Sequence, residues 1–254
     1  MARKAIKKGR AALRLLRGSI AKTTYRRENA ALRSAAHVLD PVRDASVLLA
    51  ALQATRARYR SLAGDQATAA LARALRRRRQ QANRELEAQP QLLAMARGTL
   101  RQVDRRARHW RVARRGWSGL GPGFERIYRT GRRTGRAARA HPDPPSLHEW
   151  RKQVQYLRHA LQIIHHLQAG AAPKASARAR RLAEYLGEDH DLALLRASAL
   201  AYARAHELDC DALVSVIDRR RRELQRKALP LGRRLYGRSA PAMAAHIGQS
   251  RAWR

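Results

Sequence analysis

Cations stand at positions 3, 7, 10, 14 and 17, in alternating steps of four and three. That is the period of a helix, so Arg3, Lys7, Arg10, Arg14 and Arg17 form one stripe, with a charge on each turn of about 5.4 Å. A solvated helix face usually mixes signs, because opposite charges at i, i+4 support the helix and like charges oppose it. This stripe contains no acid. The stretch "SLHEWRKQVQYLRHALQII" (146–164) has the same character. There Leu147, Trp150, Val154, Leu157, Leu161 and Ile164 make an apolar stripe, and His148, Arg151, Lys152, Gln155, Arg158 and His159 fall opposite. Rows of this kind suit anions. The planar guanidinium fork in particular matches the oxygens of a phosphate in pairs.

The whole chain supports an anionic partner. Its 254 residues hold 55 Lys and Arg against 19 Asp and Glu, a formal charge of +36, and only seven of the 55 are lysine. Self-repulsion on that scale opposes a compact state unless counter-charge is close by, which points to a polyanion. Single-stranded nucleic-acid binders add aromatic platforms on which bases stack. Aromatic residues are only 5% of this chain, which favours a ligand without bases. Inorganic polyphosphate is therefore the expected partner, with weak nonspecific nucleic-acid binding or packaging as the alternative. A single cysteine, Cys210, excludes a disulfide framework and a cysteine-based zinc site. The pattern contains neither a signal-peptide h-region nor an apolar run of membrane-spanning length, so a cytoplasmic protein with no membrane partner is expected. No oligomeric state is assigned.

The elements that must position these cations are helical. Alternating apolar/polar runs are absent, and helices are expected near 2–20, 25–39, 41–59, 65–88, 90–111, 122–140, 146–167, 173–186, 188–206, 209–228 and 240–252. Ser146 and Glu149 make a capping-box pattern, Asp40-Pro41 marks a helix start, and Gly187 marks a stop. "WSGLGPGFE" (117–125) looks like a flexible joint. It leads into a stripe of Arg126, Arg129, Arg132, Arg133 and Arg136. The chain thus reads as a first half (1–116), a connecting arm (117–145) and a second half (146–254), all within one domain.

The two halves resemble each other. "RKAIKKGRAALR" (3–14) aligns with "RKQVQYLRHALQ" (151–162), pairing Arg3 with Arg151, Lys4 with Lys152 and Arg10 with Arg158. At nearly the same offset Arg33 meets Arg180, Arg43 meets His190 and Asp44 meets Asp191. An internal duplication predicts an all-α fold of two pseudo-symmetric helical bundles, whose basic stripes line a shared groove. An extended phosphate chain is the natural occupant.

With "YRRENAALRSAAHVLDPVRDASVLL", "GLGPGFERIYRTGRRTGRAARA", "LHEWRKQVQYLRHALQII" and "LGEDHDLALL" in this order, the chain resembles the CHAD family, the conserved-histidine α-helical domain. The resemblance runs from about residue 2 to beyond 225. It implies two related helical bundles around a basic cavity, binding of inorganic polyphosphate, and association with polyphosphate granules. The family's pattern carries onto His148, Arg151, Lys152 and Arg158, and onto Arg3, Lys4, Lys7 and Arg10 in the first half. Gln155 stands where the family has lysine, and Gly9 where leucine is usual.

Other chemistry is weakly represented. Glu184, Glu188, Asp189, His190 and Asp191 have the ligand types of a hard-cation site. They are read instead as acids complementing a helix N-terminus after Gly187, with Asp191 orienting His190 or pairing with an arginine. No phosphate-binding glycine loop, nucleophile–base pair or acid cluster for phosphoryl transfer is present. The expectation is a binding protein with no catalytic residue, metal or cofactor. Its expected polyphosphate-binding residues are Arg3, Lys4, Lys7, Arg10, Arg14, Arg33, Arg43, Arg129, Arg132, Arg133, His148, Arg151, Lys152, Arg158, Arg180 and His190.

Overall fold

The computed structural model describes residues 2–62, 64–167 and 172–249, with side chains described from residue 5 onward. The described residues form ten α-helices and no strand, as the absence of alternating patterns predicts. The helices are α1 (Ala2–Leu15), α2 (Lys22–His37), α3 (Asp40–Arg58), α4 (Gln66–Glu87) and α5 (Pro90–Ala107). They continue as α6 (Gly116–Ala140), α7 (Pro144–Leu167), α8 (Pro173–His206), α9 (Asp211–Leu235) and α10 (Ala240–Gly248). Two compact units form, each taking segments from early and late in the chain. The first contains Met1–His37, Met95–Glu184 and Leu229–Arg254; the second contains Val38–Ala94 and Tyr185–Ala228.

The first unit is organised around α7. Its apolar stripe is buried as the spacing predicts, with Trp150, Val154, Leu157 and Ile164 fully enclosed. Helices α1 and α6 pack on α7, and α2 and α10 complete the layer against α1 and α6. Burying each large apolar side chain contributes roughly 1.5–3 kcal/mol, and Leu13, Leu15, Phe124 and Tyr128 join the same interior. Phe124, Tyr128 and Tyr236 form a run of tilted rings, and the Tyr128 hydroxyl donates to the Leu235 carbonyl at 2.9 Å. Glu28 on α2 is fully buried. Arg106 on α5 grips it through two hydrogen bonds of 2.8 Å, which hold its carboxyl below the usual carboxylate range.

The arm departs from expectation. Residues 117–125 are the opening turns of α6, where the sequence suggests a joint. Gly119, Gly121 and Gly123 are buried there, and they serve close approach instead of flexibility. A methyl group on Gly123 would collide with the Leu15 carbonyl of α1. Farther along, Gly135, together with Gly232 of α9, makes room for the Trp150 indole. Helix α1 ends at Leu15, short of the expected 20, because the chain turns at Gly18 with φ +110°. The Ser19 hydroxyl then donates to the Gly119 carbonyl at 2.6 Å.

The start of α7 also differs. The amide of Ser146 donates to the Asp143 carboxylate at 2.7 Å, so Asp143 caps a helix that begins at Pro144, and there is no Ser146–Glu149 capping box. Glu149 instead accepts from Lys152 and Gln153. Similarly, Leu39 occupies the cap position of α3, with Asp40 and Pro41 inside the helix.

The second unit packs α3 on α4, with parts of α8 and α9 supplying Leu192, Leu195, Leu213 and Ile217 to its core. Helix α8 runs through Gly187 without a break. A helical glycine costs only about 1 kcal/mol, and the buried stripe of Leu182, Leu186, Leu192 and Leu195 continues across it. Glu188 and Asp189 are therefore mid-helix and complement no N-terminus. Glu188 pairs with Arg220 at 2.7 Å, while buried Asp189 meets Arg221 at 3.2 Å and Gln225 at 2.9 Å. Helix α9 likewise extends past the expected 228, through Pro230, because Leu235 is buried beyond it.

Two glycine substitutions should move stability in opposite directions. Gly123→Ala forces a backbone shift between α1 and α6 and should destabilise by about 3 kcal/mol. Gly187→Ala meets open space within a helix and should stabilise by about 0.5–1 kcal/mol. Denaturant midpoints of the two variants measure both.

Candidate functional site

Helices α1, α2 and α7 enclose a cavity of about 520 Å³ in the first unit. Lys7, Arg10 and Arg14 reach it from α1, Arg33 from α2, and Arg151 and Lys152 from α7. The spacing of the two basic stripes explains this meeting. Each helix turns its apolar side into the interior, where α1 and α7 touch, so the polar sides flare apart and face one another across the gap. Glu149 is the single carboxylate in the lining, and it is engaged by Lys152.

An aromatic floor orders the cations. The Arg14 guanidinium lies 3.9 Å from the centre of the Tyr156 ring, and that of Arg10 lies 5.9 Å from it. Such contacts are worth about 0.5–2 kcal/mol, depending on desolvation. Arg14 also donates to the Tyr25 hydroxyl at 3.3 Å, and Arg10 to the side-chain oxygen of Asn29 at 3.3 Å. The Nε of Arg14 is buried without an acceptor, a condition that costs about 1–3 kcal/mol for a polar group. Burial pushes the Arg10 pKa below the usual arginine value, and Arg14 and Arg33 add to that effect. The cradle thus concentrates positive charge that an incoming anion would relieve.

Six of the expected residues meet here: Lys7, Arg10, Arg14, Arg33, Arg151 and Lys152. The side chains of Arg3 and Lys4 lie outside the described residues. Arg158 is on α7 but is absent from the cavity lining; its Nε is buried without an acceptor. His148 is half-buried in the first turns of α7, also away from the lining. Its pKa is lowered first by burial, then by Arg151 and Lys152. The α6 cations serve elsewhere: Arg129 pairs with Glu125, Arg132 donates to the Tyr236 carbonyl at 3.3 Å, and Arg133 is exposed. Arg180 is exposed on α8 in the first unit. Arg43, paired with Asp44 at 3.0 Å, and His190 both belong to the second unit. Among the described residues, no three His, Cys, Asp or Glu side chains gather to hold a metal ion, and no helix is long and apolar enough to cross a membrane.

Tyr156 and His159 line the cavity but are not among the expected binding residues. Both sit on the polar side of α7, but His159 is buried, with Nδ1 3.1 Å from the Gln162 side-chain oxygen. The available signal was the alignment of Tyr156 with Lys8 of the first half, which gives no hint that Arg14 would settle on its ring.

A family model described as CHAD domain matches residues 1–200. That range includes the whole of α1, α2, α6 and α7. Comparisons with curated proteins and with solved structures gave no match.

Protonation of His159 should be visible in stability. Burial lowers its pKa first, and Arg158, Lys7 and Lys8 lower it further, against a raising hydrogen bond to Gln162. The unfolded chain therefore takes up this proton more readily than the folded one. The associated stability is complete above about pH 6.5, the ordinary histidine value, and is lost as pH falls below it. The thermal midpoint without ligand should drop between about pH 7.5 and pH 5.5, and His159→Gln should reduce that drop. An equal drop in the variant would assign the effect to the other histidines.

Proposed function

The chain belongs to the CHAD family, and from that premise we propose that the cradle of α1, α2 and α7 binds inorganic polyphosphate. The family is associated with polyphosphate binding in general. The supporting observation in this chain is the convergence of six cations from three helices on one cavity, with its single carboxylate already engaged. Braced guanidiniums lose less freedom on binding than free ones and present paired donors to phosphate oxygens. We read the chain as a binding module, and we infer that the same contact attaches it to polyphosphate granules.

Tyr156 bears on the nucleic-acid alternative. Among the described residues its ring is the one Phe, Tyr or Trp face in the cradle lining, and Arg14 covers it at 3.9 Å. A base would have to displace that cation before stacking, whereas a phosphate chain meets the cation directly.

Competition among long-chain polyphosphate, RNA and DNA at fixed salt tests the assignment. Polyphosphate should displace both nucleic acids at equal phosphate concentration, and its log affinity should fall linearly with log salt. Arg10→Ala with Arg151→Ala should weaken polyphosphate binding by at least about tenfold. Removing Arg77 and Arg78 from the exposed run on α4 should cost less than about threefold, the effect of bulk charge alone. Equal losses from the two pairs, or preference for RNA, would overturn the proposal.

A further inference from the structure

We propose that the cradle is one end of a continuous cationic track that selects long polyphosphate chains over short ones. This inference rests on the cradle's binding polyphosphate and adds the property of length. Two further cavities of the first unit adjoin the cradle. One of about 180 Å³ shares Arg14 and Gln153 with it and adds Arg17 and Arg126. The next, of about 270 Å³, shares Arg17 and Arg126 and adds Lys22 and Arg26 from the start of α2. Neither extension is lined by a carboxylate. Positive charge therefore continues from Lys7 to Arg26 without interruption by an acid beyond Glu149.

The extension is braced in the same way as the cradle. The Arg17 guanidinium lies 5.2 Å from the centre of the Tyr25 ring, and the Tyr25 hydroxyl accepts from Arg14 at 3.3 Å. Tyr25 therefore links the last cation of the cradle to the first of the extension. Arg126 donates one N–H to the Arg17 carbonyl at 3.1 Å, which positions its guanidinium across the exposed end of α1 while other donors remain for a ligand. Along α1 alone, the rise of about 1.5 Å per residue puts Lys7 and Arg17 about 15 Å apart. A triphosphate is much shorter than that path and fills the cradle only. A longer chain reaches Arg17, Arg126, Lys22 and Arg26 in turn, and each phosphate neutralised releases further counterions.

The test compares tripolyphosphate with long-chain polyphosphate on the full chain. Lys22→Gln with Arg26→Gln changes two exposed positions on α2, outside the cradle lining. This double variant should lose at least about tenfold in affinity for the long chain and lower its salt slope by about 1.4, while tripolyphosphate changes by less than about twofold. The Arg77/Arg78 double variant corrects for the general loss of charge. A long-chain loss no larger than in that control, or a parallel loss for tripolyphosphate, would overturn the track. The two levels fail separately. If Arg10→Ala with Arg151→Ala weakens both ligands while the Lys22/Arg26 variant weakens neither, the cradle stands and the track is wrong. If wild-type protein binds neither ligand, the polyphosphate assignment itself is wrong and the track falls with it.

Discussion

Repulsion among cations is the constraint to which the rest of this molecule answers. With a formal charge of +36, the chain folds by turning one side of each helix inward and by using its scarce acids where they hold helices together. Glu28 is enclosed and clasped by Arg106, linking α2 to α5. In the second unit, Asp189 and Glu188 join α8 to α9 through Arg221 and Arg220, and Asp218 holds Arg196. Removing one partner of a buried pair is far more costly than the pair's net worth, because the other charge stays behind uncompensated. Acids committed to such links cannot neutralise the α1, α2 and α7 surfaces, so the cradle keeps its cation excess.

That excess is ordered before any ligand arrives. Like charges on one helix face would ordinarily splay into water, but Tyr156 and Tyr25 give the guanidiniums of Arg14, Arg10 and Arg17 a surface to rest on. Ring contacts and the Asn29 hydrogen bond hold side chains whose ordering would otherwise oppose binding. Burial marks the same place: the Nε of Arg14 is enclosed without an acceptor, and the Arg10 pKa is lowered first by burial and then by Arg14 and Arg33.

The framework beneath is held by close backbone approach. Gly123 lets α6 meet the end of α1 at the Leu15 carbonyl, and Gly135 and Gly232 leave room for Trp150. A helix can tolerate such glycines because tertiary burial outweighs their weak propensity. The consequence for the site is positional: α1 is held against both α6 and α7, which sets the gap between the basic stripes.

Periodicity alone determined the helical class, the buried stripe of α7 and the cationic stripe of α1, since each depends only on residues three and four apart. The two basic stripes also contained most of the cradle: Lys7 and Arg10 lie on that of α1, and Arg151 and Lys152 on that of α7. Single-helix spacing cannot tell a solvated residue from one covered by a neighbouring helix, and so it does not show that His159 is buried or that Arg14 lies on the Tyr156 ring. Nor can it tell a glycine that bends from one that packs; only the positions of Leu15 and Trp150 decide that Gly123 and Gly135 serve close approach. The same reason separates Arg132 from the cradle: its charge matches the pattern, but its partner, the Tyr236 carbonyl, is brought to it by how the helices come together, whereas Arg129 pairs within α6 with Glu125, four residues earlier.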